Sequence, residues 1–308
     1  MYKIVYMGTP DFSVAPLLKL LEFKDKYEVT AVVTNPDKPT GRKQIITPCP
    51  VKKVAVSRGI KVFQYDKIRI EGLKDLSALN PDVIVTCAFG QILSKEILDI
   101  PLFGVINVHA SLLPKYRGAS PIHYAILNGE RETGITIMKT DVGIDSGDII
   151  LSEKVDIGEK ETCGELFDKL TLVGADLLIK ALDLIVEGKA EYVKQNQSDA
   201  TFTKMIRKED ALIDWKKKAV EINNQIRAFN PAPGAYTFID GLPIKIFEAD
   251  PSSGSGAPGE IIDCGEKLEI ACGVGSLIIK KLQKSGGKTM DASDFLRGNR
   301  MKPGKFLG

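Results

Sequence analysis

Over the first 188 residues, apolar positions alternate between two rhythms. Short β-branched and aromatic runs at Lys3–Met7, Val29–Thr34, Lys61–Gln64, Asp82–Cys87 and Val105–His109 read as strands. Between them, 11–21, 51–57 and 73–79 space their apolar residues as helices do. Asp11 is a candidate N-cap for the first helix, although Pro16 sits late for a first turn. Strand, loop, helix and strand in repetition predict an α/β domain with a doubly wound, mostly parallel sheet. Ile122–Leu127 continues as helix, and Gly134–Lys139 and Ile149–Val155 as strands of a hairpin. Thr162-x-x-Glu165 is a capping box. The helix it opens carries Leu166, Leu170, Val173, Leu177 and Ala181 at helical spacing, and Gly188 stops it.

From 189 to 207 polar residues take over, and this stretch reads as a linker. The last hundred residues hold one helix, Ala219–Phe229, and five short strands: Tyr236–Asp240, Leu242–Phe247, Glu260–Asp263, Lys267–Ala271 and Ser276–Leu282. Asp240-Gly241 between the first two is a type I′ hairpin signal. Five short strands in that length predict a small OB-like β-barrel. The expected organisation is a catalytic domain over 1–188, a linker over 189–207 and a C-terminal domain over 208–308.

A length of 308 residues suits two domains, and a net charge of +2 leaves any nucleic-acid partner to be met by local patches. Such patches exist: Lys280–Lys305 carries eight Lys/Arg against Asp291 and Asp294, and Lys216-Lys-Lys218 forms a second cluster. A charge run is usually a solvated face; on an OB-like barrel it is equally a nucleic-acid footprint. The five cysteines show no paired spacing, which suits a reducing compartment with buried free thiols and no metal site. The first residues read as a strand rather than a targeting peptide, and no apolar run is long enough for a membrane span, so a cytoplasmic location is expected.

Candidate chemistry concentrates at one strand end. On Val105–His109 alternate side chains share a face, so Asn107 and His109 finish side by side where the strand meets the Ser111–Pro114 turn. In a parallel α/β sheet that carboxyl end is where ligands bind. His109 is one of two histidines, so acid–base chemistry near neutral pH has few other candidates. The plain alternative is a buried histidine bonded to a backbone carbonyl, with Asn107 capping the turn. Against it stands the Gly/Asp-rich loop Asp141-Val-Gly-Ile-Asp-Ser-Gly-Asp148, suited to presenting Asp145 beside a pocket.

Three further stretches bear on function. The connection 35–50 holds four prolines and the cations Lys38, Arg42 and Lys43, and is too long for an ordinary βα loop. Ala88-Phe-Gly-Gln-Ile-Leu93 offers an aromatic, a glycine and main chain to a flat heterocycle, or is simply a βα turn. Gly8-Thr-Pro-Asp-Phe12 departs from the dinucleotide fingerprint, although Gly8 would let a ligand or backbone approach.

Asn107-x-His109, the Ser-Leu-Leu-Pro turn, Tyr116-Arg-Gly-Ala-Ser-Pro121 and Asp145-Ser-Gly-Asp148 together resemble the folate-dependent formyltransferases. Met7-Gly-Thr-Pro-Asp-Phe12, Asn35-Pro-Asp37, Pro48-x-Pro-Val51, Thr136-Ile-Met138, Asp214-Trp215 and Arg227-Ala-Phe-Asn-Pro231 extend the likeness nearly end to end, toward the branch that formylates methionyl-tRNA. The resemblance implies a Rossmann-like formyltransferase domain with Asn107, His109 and Asp145 as catalytic residues. It implies 10-formyltetrahydrofolate as formyl donor, bound between Phe89, Gly90, Gln91, Ile92 and Leu93, the turn Ser111, Leu112, Leu113 and Pro114, and the loop Asp141, Val142 and Gly143. Initiator methionyl-tRNA would be met by Lys38, Arg42 and Lys43, with Arg42 the key cation, and by Lys302 and Lys305 of the second domain. No metal, membrane or obligate protein partner is implied. Two other readings stay open: formyl transfer to a small amine such as an amino-sugar nucleotide or glycinamide ribonucleotide, and a non-catalytic folate or RNA binder. Asn230-Pro-Ala-Pro-Gly-Ala-Tyr236 has small residues where relatives often carry tryptophan.

Overall fold

The structure, a computed structural model, describes residues 1–41 and 44–308, so Arg42 and Lys43 lie outside the described residues. In chain order the elements are β1 (Tyr2–Gly8), α1 (Val14–Glu22), β2 (Tyr27–Thr34), β3 (Lys38–Thr40), β4 (Ile45–Thr47), α2 (Pro50–Ser57), β5 (Lys61–Gln64), α3 (Ile68–Glu71), α4 (Leu73–Leu79), β6 (Val83–Cys87), α5 (Lys95–Leu98) and β7 (Val105–His109). They continue with β8 (Arg117–Gly118), α6 (Pro121–Leu127), β9 (Glu132–Lys139), β10 (Ile149–Asp156), α7 (Cys163–Val186), β11 (Phe202–Thr203) and α8 (Ala219–Ala228). The last are β12 (Ala235–Ile239), β13 (Leu242–Ser252), β14 (Ile261–Asp263), β15 (Leu268–Ala271), β16 (Ser276–Lys284), β17 (Thr289–Asp291) and α9 (Ala292–Gly298). The chain divides into two compact units, one of residues 1–118, 133–156 and 167–202, the other of 119–132, 157–166 and 203–308.

The first unit is built on a seven-stranded sheet in the order β10-β9-β7-β6-β1-β2-β5. The five strands from β5 to β7 run parallel, and β9 is antiparallel to β7. Residues Ile4 to Met7 are all fully buried, the continuous apolar run expected of a strand covered on both faces. One core cluster sets Val5, Met7, Ala31, Val33, Ile84 and Val105 of the sheet against Ile68, Leu76 and Ile97 of the helices. Each such side chain contributes roughly 1.5–3 kcal/mol of burial, which makes the sheet a rigid platform for what lies at its end.

Two local expectations concern the turn after β1. Asp11 opens a short 3-10 turn, Asp11–Ser13, and α1 itself begins at Val14. That start places Pro16 in the first turn, where no N–H is needed. At Gly8 the missing side chain makes room for Ser13 and for the backbone of β6: an added Cβ would lie 2.6 Å from Ser13 Cβ and 3.0 Å from the Cys87 carbonyl oxygen. Ser13 Oγ in turn donates to the Cys87 carbonyl at 2.5 Å, locking the turn across β1 and β6.

The 35–50 connection forms a hairpin of β3 and β4 with Lys38 opposite Thr47. At its base Asp37 accepts from Lys52 Nζ (2.6 Å) and from Gln64 Nε2 (3.0 Å). The Lys52 ammonium holds the Asp37 carboxyl below its ordinary range. The stretch 189–202, expected as linker, packs as part of the first unit. Val193 exchanges both backbone hydrogen bonds with Ile149 at the start of β10 (2.8 and 2.9 Å), extending the sheet edge.

In the second unit β12-β13-β16-β15-β14 form an antiparallel sheet, with β17 beside β16. The path is a curled sheet with β12 and β14 at its ends, the partly open form of the OB-like barrel expected from five short strands. Asp240 and Gly241 have φ of 53° and 74°, the paired positive values of a type I′ turn. Trp215 is buried with its Nε1–H on Thr237 Oγ1 at 3.0 Å. Arg227 donates to the carbonyls of Gly158 (3.3 Å) and Glu161 (3.0 Å), so its motif ties chain segments together. His123, the other histidine, is held below its ordinary pKa by burial and lies against Phe229. Among the described residues no helix is long and apolar enough to cross a membrane.

Candidate active site

The carboxyl end of β7 brings Asn107, His109 and Asp145 together within the first unit. Asn107 lies opposite Thr86 of β6, whose Oγ1 donates to Asn107 Oδ1 at 2.9 Å. With its oxygen committed, the amide turns its NH2 outward, and Nδ2 faces Asp145 Oδ1 at 3.5 Å. His109 is buried, and its Nε2 lies 3.0 Å from the Tyr116 carbonyl oxygen. A carbonyl only accepts, so that bond puts a proton on Nε2 and leaves Nδ1 for exchange. His109 Nδ1 faces Asp145 Oδ2 at 3.5 Å. The same Oδ2 accepts from the Gly118 backbone N–H at 2.8 Å, so Oδ1 is the less committed oxygen.

Both 3.5 Å separations are longer than an ordinary hydrogen bond. The Asn107 amide and His109 Nδ1 therefore point at one small volume without being spent on each other. Long contacts of this kind tighten when substrate fills the gap. The Asn107 amide, His109 Nδ1 once the ring is protonated, and one carboxylate on a rigid strand end can stabilise a developing oxyanion and take up a proton.

The backbone around the trio is strained. Tyr116 and Asp145 have φ of 61° and 45°, left-handed values that cost a non-glycine residue about 1 kcal/mol or more. The segment 193–201 holds both. Thr201 Oγ1 accepts from the Tyr116 N–H at 2.8 Å. Gln195 Nε2 donates to the carbonyls of Asp145 (2.9 Å) and Gly147 (2.7 Å). Gln195 Oε1 accepts from Nε and Nη2 of the buried Arg117 at 3.0 and 2.7 Å. Gly147 has no room for a side chain, since an added Cβ would lie 1.8 Å from the Lys139 carbonyl oxygen.

The neighbouring turn is fixed by Thr136 of β9, fully buried, which donates to the Ser111 carbonyl (2.7 Å) and accepts from the Leu113 N–H (3.1 Å). Leu112 packs so closely on Gly134 that an added Cβ there would stand 2.5 Å from Cδ2. In the 88–93 turn the Phe89 ring and Leu93 belong to the core, which leaves Ala88, Gly90 and Ile92 exposed. The Gln91 side chain is occupied: it donates to Asn35 Oδ1 (2.7 Å) and the Tyr65 carbonyl (2.8 Å) and accepts from the Ile68 N–H (2.8 Å). Asn35 also donates to the Phe89 carbonyl at 2.9 Å, so the hairpin base and this turn are one polar network. In the loop at 141–143 all three residues are exposed, Val142 among them.

Burial pushes the thiols of Cys87 and Cys163 up to about 12 and that of Cys272 up to about 11, so none of these is a thiolate nucleophile at neutral pH. Cys49 and Cys264, expected as buried, are partly exposed, and all five thiols are free. Among the described residues no cluster of three or more metal-type ligands occurs. Of the cations singled out, Lys302 is exposed, while Lys305 donates to Asp240 at 2.6 Å. Lys280, Lys281 and Arg297 also meet acidic partners, so the 280–305 cluster is less bare than its sequence reads.

Residues 2–182 match the Formyl transferase family, and residues 205–300 the family described as Formyl transferase, C-terminal domain. A methionyl-tRNA formyltransferase from Citrifermentans bemidjiense is 49% identical over 308 residues, spanning 99% of this chain and 96% of that protein. The chain belongs to the methionyl-tRNA formyltransferase family. A second member, from Bacillus cytotoxicus, is 47% identical over 313 residues and covers 100% of this chain and 99% of its own. The fold is shared with the N-formyltransferase from Helicobacter canadensis, whose structure holds folinic acid and dTDP-3-aminofucose. That match has a TM-score of 0.69 at 24% identity and covers 94% of this chain and all of the other.

Thr86, Gln195 and Thr201 join the site without having stood out in the sequence, and Arg117 and Thr136, quoted only as part of longer motifs, join it with a role of their own. Thr86 had a signal, since its place in the neighbouring strand puts it beside Asn107 once strands pair. Gln195 had only the cluster Gln195-Asn-Gln197 in a polar stretch, which is the ordinary composition of a linker.

Proposed function

We propose that this protein transfers the formyl group of 10-formyltetrahydrofolate to the α-amino group of methionine on initiator methionyl-tRNA. The observation that carries the reading is the convergence of Asn107 Nδ2 and His109 Nδ1, each 3.5 Å from Asp145, at the end of a buried strand.

The chemistry follows from those atoms. The amine nitrogen attacks the formyl carbon, a C–N bond forms, and the carbonyl oxygen becomes an oxyanion. Asn107 Nδ2 donates to that oxygen, and so does His109 Nδ1 in the imidazolium form, in which both ring nitrogens carry a proton; each such donor is worth about 3 kcal/mol, a hundredfold or more in rate. Asp145, through Oδ1 or a water, accepts the proton shed by the amine. Collapse breaks the bond from the formyl carbon to N10 of the folate, and the proton passes to that nitrogen, leaving tetrahydrofolate. No covalent enzyme intermediate is needed.

The folate lies between the 88–93 turn, the Ser111–Pro114 turn and the 141–143 loop. Ile92 and Val142 supply apolar surface, and the main chain of Phe89 to Leu93 and of Asp141 to Gly143 supplies polar contacts. Catalysis belongs to the region 1–188, and tRNA is held by residues 208–308 together with Lys38, Arg42 and Lys43. A tRNA substrate places the protein in the cytoplasm. Incubating the protein with 10-formyltetrahydrofolate and either charged initiator tRNA, free methionine or an amino-sugar nucleotide tests the reading. Formylated methionyl-tRNA alone is expected; formylation of the sugar and not the tRNA would overturn it.

A further inference from the structure

The mechanism uses Asp145 but not what keeps it in place. Asp145 sits in a left-handed backbone conformation, in a loop whose neighbours 141–144 are all exposed. The carboxylate itself is only 21% exposed, so its distance to His109 and Asn107 depends on how the backbone that carries it is held. The polar side chain that reaches this backbone from outside the loop is Gln195. It is buried, and its one NH2 group is divided between the Asp145 carbonyl at 2.9 Å and the Gly147 carbonyl at 2.7 Å. Those two carbonyls flank Ser146, so the two bonds fix the curve of the chain on both sides of the turn. The amide cannot flip, because its oxygen is taken twice by Arg117, which is itself 2% exposed and anchored by Nη1 on Gln197 Oε1 at 2.8 Å. Arg117 precedes Gly118, whose N–H holds Asp145 Oδ2. The carboxylate is thus gripped at its side chain by Gly118 and at its backbone by Gln195, and Arg117 ties the two grips together.

We propose that Gln195 is a positioning residue for formyl transfer. By donating to the carbonyls of Asp145 and Gly147 it holds Asp145 left-handed and so fixes the carboxylate against His109 Nδ1 and Asn107 Nδ2. This rests on the formyl-transfer reading above, and it gives part of the stretch expected as linker a place in the chemistry.

Gln195→Glu separates this role from mere support of the buried Arg117. A glutamate still accepts from the guanidinium, so the buried cation keeps its partner, yet its second oxygen meets two carbonyls with no hydrogen to give. In the full-length protein Gln195→Glu should melt within a few degrees of the parent and bind 10-formyltetrahydrofolate with unchanged affinity. Its single-turnover rate with charged tRNA should fall tenfold or more, with an altered pH–rate profile. In an Asp145→Ala background the same change should cost less than twofold, since the group it positions is gone. If Gln195→Glu does not fold, Gln195→Met, neutral and of similar length, carries the same comparison. A parent-like rate in the folded variant overturns the proposal, as does a rate loss of full size in the Asp145→Ala background. A parent protein with no transfer activity would instead sink the formyl-transfer reading itself.

Discussion

Thr86 Oγ1 and Asn107 Oδ1 lie 2.9 Å apart on neighbouring strands, and that bond decides which end of the Asn107 amide faces the site. Were the amide reversed, an oxygen rather than an NH2 would point at Asp145 and at any developing oxyanion. Thr86→Val keeps the shape and removes the donor. The rate of transfer should drop about tenfold to a hundredfold, part of the value of one oxyanion donor. Folate affinity should hold, and Thr86→Ser should restore most of the rate. Equal rates for Thr86→Val and the parent would mean that Asn107 needs no partner.

Asn107→Ala, His109→Ala and Asp145→Ala should each lower turnover by roughly a hundredfold to a thousandfold, since donors aimed at a transition state act on rate more than on binding. Because His109 Nδ1 and Asn107 Nδ2 both face Asp145, combining the substitutions should cost far less than the product of the single losses. Strictly multiplicative losses would show three independent contributors rather than one unit. Folate binding by all three proteins, measured by titration, separates a lost step from a lost site.

How much of this was legible beforehand differs by element. The strands β1, β2, β5, β6 and β7 followed from alternating periodicities, because burial on both faces leaves continuous apolar runs such as Ile4–Met7, whereas β3 and β4 lay in a stretch read as a long connection. Asn107 and His109 were placed side by side by the period of a strand alone. The OB-like character of the second unit was legible from the number and shortness of its strands, although their order in the curled sheet was not, since pairing is not encoded in strand composition. The grip on Asp145 was equally hidden. Gln195 lies 50 residues further along the chain, and a buried glutamine is written with the same letter as a solvated one. The place of the Phe89 ring was hidden for a related reason: an aromatic beside a glycine suggests a ring for stacking, but this ring packs in the core while its carbonyl accepts from Asn35 at 2.9 Å.

The Asp37–Lys52 pair makes the base of the 38–47 hairpin sensitive to acid. The ammonium lowers the Asp37 pKa, so this interaction stabilises the fold above the carboxylate's unfolded value of about 4 and is lost as pH falls through the lower folded value. Asp37→Asn should therefore melt below the parent at pH 6, and the gap should close as pH falls below about 4. A gap that is constant with pH would show that the carboxylate's charge is irrelevant there.

Gly147 should tolerate no side chain. An added methyl at 1.8 Å from the Lys139 carbonyl forces the loop to move, and that loop carries Asp145. Gly147→Ala should lower turnover at least as far as Gln195→Glu does, while the core of the sheet, remote from the clash, still protects its amides from hydrogen exchange. Full activity in this variant would mean that the loop can shift without moving the carboxylate.

The cations offered to tRNA divide into those that are exposed and those already engaged. Lys302 is exposed, whereas Lys305 meets Asp240 at 2.6 Å and must exchange one partner for another to reach a phosphate. Each phosphate that a cation neutralises releases counterions, and contributes about 0.7 to 0.9 to the slope of log affinity against log salt. Lys302→Ala should therefore flatten the salt dependence of tRNA binding by nearly the full share of a single phosphate, and Lys305→Ala by less. Arg42 stands apart because the 3′ end it is proposed to guide carries the reacting amine. Arg42→Ala should raise the KM for charged tRNA and also lower turnover, since a misplaced 3′ end reaches the formyl carbon less often. Folate affinity should be untouched in all three. Should Arg42→Ala raise KM and leave turnover alone, the loop would only tether the tRNA, and orientation of the amine would rest with the strand end that carries Asn107 and His109.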